Sequence, residues 1–196
     1  MSVGTTGRAA VTRSALLDAA REVFSASGFA EASIAEVVAR AGASVGSLYH
    51  HFGGKAEIYL ALFEDYQQRQ EERAAVAVRE ARAQQEVDPV ELFVAGSRAY
   101  LDGCWVERDL ARLFLAGGGP AGFELIARRR YREWTARNAT LLRVDSVEPW
   151  GDALVMVLTT VISEAGSEIA VCEDEAAAQR FATEVLALIA RIGGTS

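Results

Sequence analysis

Residues 41–55 read Ala41-Gly42-Ala43-Ser44-Val45-Gly46-Ser47-Leu48-Tyr49-His50-His51-Phe52-Gly53-Gly54-Lys55. The first four residues join two helices: Gly42 ends one, and Ser44, two residues later, is a capping residue for the next. That next helix runs from Val45 to Phe52 and is broken by Gly53-Gly54. The stretch also holds both histidines and the only lysine of the chain. Adjacent histidines on a helix point about 100° apart and do not chelate one metal, which needs a spacing such as HxxxH. No serine–acid or cysteine pair accompanies them, so a nucleophilic site is not indicated.

Working outward, Ser33-Ile34-Ala35-Glu36 fits a capping box in which Glu36 reaches back to the Ser33 N–H. Val37, Val38 and Ala41 continue an apolar face behind it. Upstream, Leu16, Leu17, Ala20, Val23 and Phe24 recur at helical spacing, predicting a helix over 13–27 that Gly28 terminates, with Phe29 turning back to the core. Two short helices on a tight glycine turn form a helix-turn-helix candidate. Its second helix suits a DNA major groove, which is about 12 Å wide. The tip residues Ser44, Val45, Gly46 and Ser47 are small and allow close approach to bases. Val45 suits a thymine methyl, and Ser47 a hydrogen bond.

In this order the strings are specific. Leu17-Asp18-Ala19-Ala20 with Phe24 and Gly28-Phe29, Ser33 through Val38, Ala41 through Ser44, and Gly46 through Phe52 with Lys55-Ala56-Glu57-Ile58-Tyr59 resemble the DNA-binding domain of the TetR family of transcriptional regulators. Two departures stand out: Val38 replaces a usual small alanine, and Gly53-Gly54 replaces more polar residues. The resemblance implies that Tyr49 and His50 contact phosphate, that Lys55 anchors phosphate at the start of the fourth helix, that Ser33 lies near phosphate, and that His51 faces inward beside Phe52. Phosphate contacts position a protein without reading sequence. The first turn of a helix also favours an anion.

Composition agrees with a DNA-reading head on a separate body. The 196 residues are 51% apolar with three prolines, which favours an all-α chain. Residues 1–56 carry Arg8, Arg13, Arg21, Arg40 and Lys55 against Asp18, Glu22, Glu31 and Glu36, a balance of +1. The whole is −7, which leaves −8 on the remainder. So acidic a chain lacks the basic surface of an architectural DNA binder, whose affinity comes from phosphate neutralisation. Cys104 and Cys172 form no CxxC, and no repeat stands out. Residues 1–12 are small and polar and read as a flexible arm without an apolar signal core; a cytoplasmic protein is the expectation.

The body, 57–196, reads as further helices: about 55–85; 89–104 behind Asp88-Pro89; a short one within 105–115; 121–144; one after Glu148-Pro149 and Trp150; and 174–192. The Gly117-Gly118-Gly119-Pro120 break lacks the Lys-Ser/Thr of a phosphate loop. Arg128-Arg129-Arg130-Tyr131-Arg132 is basic inside an acidic body and is read as pairing intramolecularly. The apolar run from Ala153 to Val171 is interrupted by Thr159, Thr160, Ser163, Glu164, Ser167 and Glu168, against a membrane span. In the last helix Phe181, Val185, Leu188 and Ile192 share one side.

The resemblance implies a ligand pocket in the body and a homodimer whose two C-terminal helices form a four-helix bundle with the partner's. Aromatics available for a pocket are Phe93, Tyr100, Trp105, Phe114, Phe123, Tyr131 and Trp134, pointing to an apolar or aromatic effector. The expectation is therefore an all-α, sequence-specific, ligand-responsive regulator, a repressor on a palindromic operator, with no catalytic role, cofactor or metal. The alternative is a helical small-molecule-binding protein or enzyme with a non-functional DNA-binding head.

Overall fold

Helix stops and starts follow the residues that can make them. The structure, a computed structural model, describes residues 3–86, 88–115, 118–142 and 151–193, with side chains from Gly7 onward. Among these the elements are α1 (Val3–Glu31), α2 (Ile34–Arg40), α3 (Val45–Phe52), α4 (Lys55–Ala83), α5 (Pro89–Val106), α6 (Arg108–Leu115), α7 (Phe123–Leu142), α8 (Gly151–Val171) and α9 (Glu175–Gly193). The expected end of α7 at Val144 and the Glu148-Pro149 break lie outside the described residues. α1 begins at Val3, earlier than the expected Arg13. Its apolar turn is interrupted at Gly28, whose φ of 72° breaks the helix where a C-cap was expected.

Contacts divide the chain into two compact units, residues 1–67 with 113–124 and residues 68–112 with 125–196. The boundary thus falls inside α4, not ahead of it as the 13–56 and 57–196 division supposed. The physical reason is burial: Ile58, Tyr59, Leu62, Phe63 and Tyr66 of α4 join Leu16, Ala20, Val23, Phe24, Val37, Val38 and Leu48 in the first unit's core. Leu17, by contrast, is only half-buried, and Ala19 takes its place.

Tyr59 organises that core. Its ring meets Phe24 at 5.3 Å and Phe29 at 5.1 Å, and Phe114 and Phe123 each at 5.3 Å, all edge-on. Edge-to-face pairs each add about 1 kcal/mol beyond burial. Its hydroxyl donates to the Gly118 carbonyl at 2.7 Å. Phe114 and Phe123, expected to line a pocket, are buried core residues here. Burial pushes the Tyr59 phenol up to about 12.

In the second unit the packed faces of α5, α8 and α9 supply Leu92, Leu101, Cys104, Leu158, Ile162, Ile169, Ala182 and Ile189. Gly166 of α8 sits on α5: a Cβ there would lie 2.9 Å from Tyr100 Oη and 3.0 Å from Cys104 Sγ. α8 is long and apolar enough to cross a membrane by length and composition, but Val155, Leu158, Ile162, Ala165, Ile169 and Ala170 are buried within this chain. α9 departs from the expected grouping. It buries Ala178, Ala182, Val185, Leu186 and Ile189, while Leu188 and Ile192 remain exposed. Of the expected grouping, Val185 is buried and Phe181 half-buried, so only Leu188 and Ile192 are left uncovered.

Glu107, at the end of α5, joins α4 to this unit through Arg69 Nη2 at 2.7 Å and through Arg73. Burial raises its carboxyl, but the hydrogen bonds from Arg69 and Arg73 outweigh this and hold it below the usual carboxylate range.

Two outcomes follow. Gly166→Ala should destabilise by about 1–3 kcal/mol through overpacking, and Cys104→Ala should recover part of that loss. Denaturant titration measures both, and an additive pair of effects contradicts the packing assigned. For Tyr59, a phenol raised on folding contributes stability fully present below its unfolded value near 10 and lost as pH climbs to about 12. Tyr59→Phe should flatten the fall in stability between about pH 10 and 12; an unaltered alkaline limb would refute the account.

Candidate nucleic-acid interface and cavity

The α2–α3 corner is built from backbone hydrogen bonds. Gly42 has φ 61°, and its N–H donates to the Ala39 carbonyl at 3.3 Å while the Ala43 N–H donates to the Val38 carbonyl at 2.9 Å. Those two bonds are the paired closure of a helix on a left-handed residue. Ser44 then opens α3 in extended conformation, its Oγ accepting from the Ser47 N–H at 3.1 Å. At the far end Gly53, φ 97°, donates to the Tyr49 carbonyl at 3.0 Å. α3 is therefore pinned at both ends to eight residues.

Ser33 also caps, accepting from the Ala35 N–H at 3.2 Å. The expected capping box does not close. Glu36 instead accepts from Arg40, which also reaches Glu22 of α1 at 3.1 Å. An arginine one turn on, between two carboxylates, out-competes a single backbone N–H.

The faces of α3 separate cleanly. Leu48 is buried, whereas Val45 is 47% and Tyr49 is 53% exposed, and Gly46 and His50 are exposed with them. At 100° per residue these four share one outward arc. Ser47 lies off it and is half-buried. The Tyr49 hydroxyl has no partner among the described residues. His50 and His51 stand 5.3 Å apart edge-on, with His51 against Phe52 at 6.4 Å. No cluster of three or more possible metal ligands occurs among the described residues. Lys55 Nζ donates to the Ala30 carbonyl at 2.9 Å and lies 4.8 Å from the centre of the Phe29 ring. Its ammonium has two further donors. Arg13 covers the Phe52 ring at 5.0 Å.

The second unit contains a cavity of about 450 Å³ walled by α4, α5 and α7. Of the seven aromatics expected to line a pocket, Phe93 and Trp134 line this cavity, and Trp105 lines a separate one of about 220 Å³ between α5, α8 and α9. Tyr100 backs Trp134 at 4.8 Å, Tyr131 bonds Thr160 at 2.8 Å, and Trp105 is stacked under Arg108 at 4.3 Å. Reading aromatics alone missed Ser97 and Asn138, which also line it. Their signal was spacing: Ser97 follows Phe93 by one turn, and Asn138 follows Trp134 by one turn. Within the basic run, Arg129 and Arg130 pair with Glu133 on the same helix, at 3.0 and 3.1 Å.

A capped two-turn helix with an exposed face, on a buried partner helix, defines a helix-turn-helix module joined to an all-helical second unit. The family of bacterial regulatory proteins named tetR matches residues 16–62. The transcriptional regulator SrpR of Pseudomonas putida is 39% identical over 62 residues, 32% of this chain and 29% of its own length. The transcriptional repressor AcnR of Corynebacterium efficiens is 36% identical over 62 residues, 32% of this chain and 33% of its length. The chain thus aligns with about a third of the length of these relatives. A solved TetR-family transcriptional regulator from Pectobacterium atrosepticum is 26% identical, with a TM-score of 0.64 over 96% of this chain and 95% of that one. Residues 16–62 thus match the tetR family of bacterial regulatory proteins, and the chain shares its fold with a TetR-family transcriptional regulator.

The capping geometry makes a local prediction. Ser44→Ala should cost about 1 kcal/mol of stability, and Ser44→Asp, which can still cap, should restore it. Equal unfolding midpoints for wild type and Ser44→Ala would show that the α3 start does not depend on this bond.

Proposed function

We propose that this chain is a homodimeric, sequence-specific DNA-binding repressor, released from a palindromic operator by a small molecule held in the second unit. The observation that carries the DNA-binding part is the outward arc of α3. It presents Val45, Gly46, Tyr49 and His50 to solvent on a helix whose start and end are both fixed. Val45 fits a thymine methyl at the base edges. Tyr49 and His50, with Ser33 at the start of α2, fit phosphates, and Lys55 exchanges its Ala30 carbonyl for one. Ser44 acts by fixing the tip. Ser47, half-buried, reads a base from the flank.

Dimerisation is supported by the uncovered apolar stripes: Met156, Val157 and Val161 on α8, Leu188 and Ile192 on α9. A two-fold dimer would place two tips on half-sites about 34–36 Å apart. The cavity is the effector site in this reading, with Phe93 and Trp134 as its aromatic walls. Release requires only that the effector bind the DNA-incompetent state better; that differential affinity is the whole driving force. A cytoplasmic location follows from this role. No cofactor enters it.

Selection from a random duplex library at about 0.15 M salt tests the proposal, with a specificity ratio of about 10³ or more expected. An enriched palindrome supports it; no enrichment by folded, dimeric, effector-free protein overturns it. On the enriched site, Tyr49→Ala and Lys55→Ala should weaken binding on every duplex and lower its salt dependence. Val45→Ala and Ser47→Ala should alter preference among bases. Unchanged affinity in all four variants would remove α3 from the interface.

A further inference from the structure

We infer that the cavity walled by α4, α5 and α7 selects a flat aromatic molecule bearing a hydroxyl group, an inference that rests on reading the cavity as the effector site. Its volume of about 450 Å³ falls in the range of small-molecule pockets. The walls favour a ring: Phe93 is buried, and Trp134 is held against Tyr100 at 4.8 Å, tilted by 44°. Val78 and Leu141 complete an apolar lining.

The lining also carries Gln68 and five charged side chains, but two of its polar side chains, Ser97 and Asn138, are buried. Ser97 is 4% exposed and Asn138 is 7% exposed. Asn138 Nδ2 donates to Oγ1 of the fully buried Thr159 at 3.0 Å. That bond assigns the amide orientation and leaves Oδ1 as an acceptor lining the cavity. The Ser97 hydroxyl has no hydrogen-bond partner among the described residues, so it offers a donor and an acceptor. A ligand hydroxyl answers both at once, accepting from Ser97 Oγ–H and donating to Asn138 Oδ1. A carboxylate does not: it would set negative oxygen against Oδ1 and lose its hydration. Of the charged side chains lining the cavity, Glu71 pairs with Arg137 and Glu72 pairs with Arg79 at 2.7 Å, while Arg82 has no ion pair among the described residues, so β-naphthoate tests whether that cation outweighs the Ser97 and Asn138 contacts.

Calorimetric titration of the full chain at neutral pH with naphthalene, β-naphthol and β-naphthoate separates the possibilities. We expect β-naphthol to bind about tenfold tighter than naphthalene, the value of one or two buried hydrogen bonds, and β-naphthoate to bind most weakly. Ser97→Ala should remove most of the β-naphthol advantage and leave naphthalene affinity unchanged. Asn138→Ala should do the same, and because it also strips Thr159 of its donor, Ser97→Ala is the deciding variant. Equal affinity for naphthalene and β-naphthol, tightest binding of β-naphthoate, or an advantage that survives Ser97→Ala would overturn the hydroxyl selectivity and leave the cavity standing as a site. Binding of none of the three would overturn both.

Discussion

Gly42 at φ 61°, followed two residues later by Ser44 capping the Ser47 N–H, determines where α3 begins. Much else in the first unit is conditional on it. Were α3 to start one residue later, the whole helix would turn by about 100° and Leu48 would leave the core. Tyr49 would then turn from the exposed arc into the buried position that Leu48 holds. The left-handed residue admits glycine without strain, and the cap requires a short side-chain acceptor. A four-residue turn thus converts backbone hydrogen bonding into the direction of a surface.

The same economy appears in α4. Its first turns are core residues of the first unit, and its later turns belong to the second. The chain leaves the second unit at Arg112 and rejoins it at Leu125; the residues between are held in the first unit by the Tyr59 ring and hydroxyl. Three chain crossings therefore connect the units. Any change of state in the second unit is transmitted through those crossings and nowhere else along the covalent chain. In an effector-released regulator they are where ligand binding becomes linked to DNA binding.

How much of this was legible in the sequence varied with the range of the interactions. Helix boundaries were legible because they are local: Asp88 before Pro89 caps α5 by accepting from the Val90 and Glu91 N–H groups, and Gly53 stops α3. The capping box at Ser33 misled because Glu36 had a stronger partner in Arg40, brought near by α2 itself. Phe114 and Phe123 misled for a different reason. Nothing local shows that the segment carrying them packs on Tyr59, some 55 to 64 positions away. Ser97 and Asn138 were invisible while only aromatics were weighed, since a serine on a helix is ordinary until its surroundings are apolar. In α9 the periodicity grouped Phe181, Val185, Leu188 and Ile192 on one side without telling that only part of that side packs within the single chain.

The central claim is that the outward arc of α3 enters a major groove. Methylation interference with dimethyl sulfate on a duplex recovered by selection tests it most directly, because the reagent marks guanine N7 in the major groove and adenine N3 in the minor groove. The account predicts that N7 methylation within both half-sites blocks binding while N3 methylation there does not. Interference from adenine N3 alone, with guanine N7 methylation tolerated throughout, would contradict it.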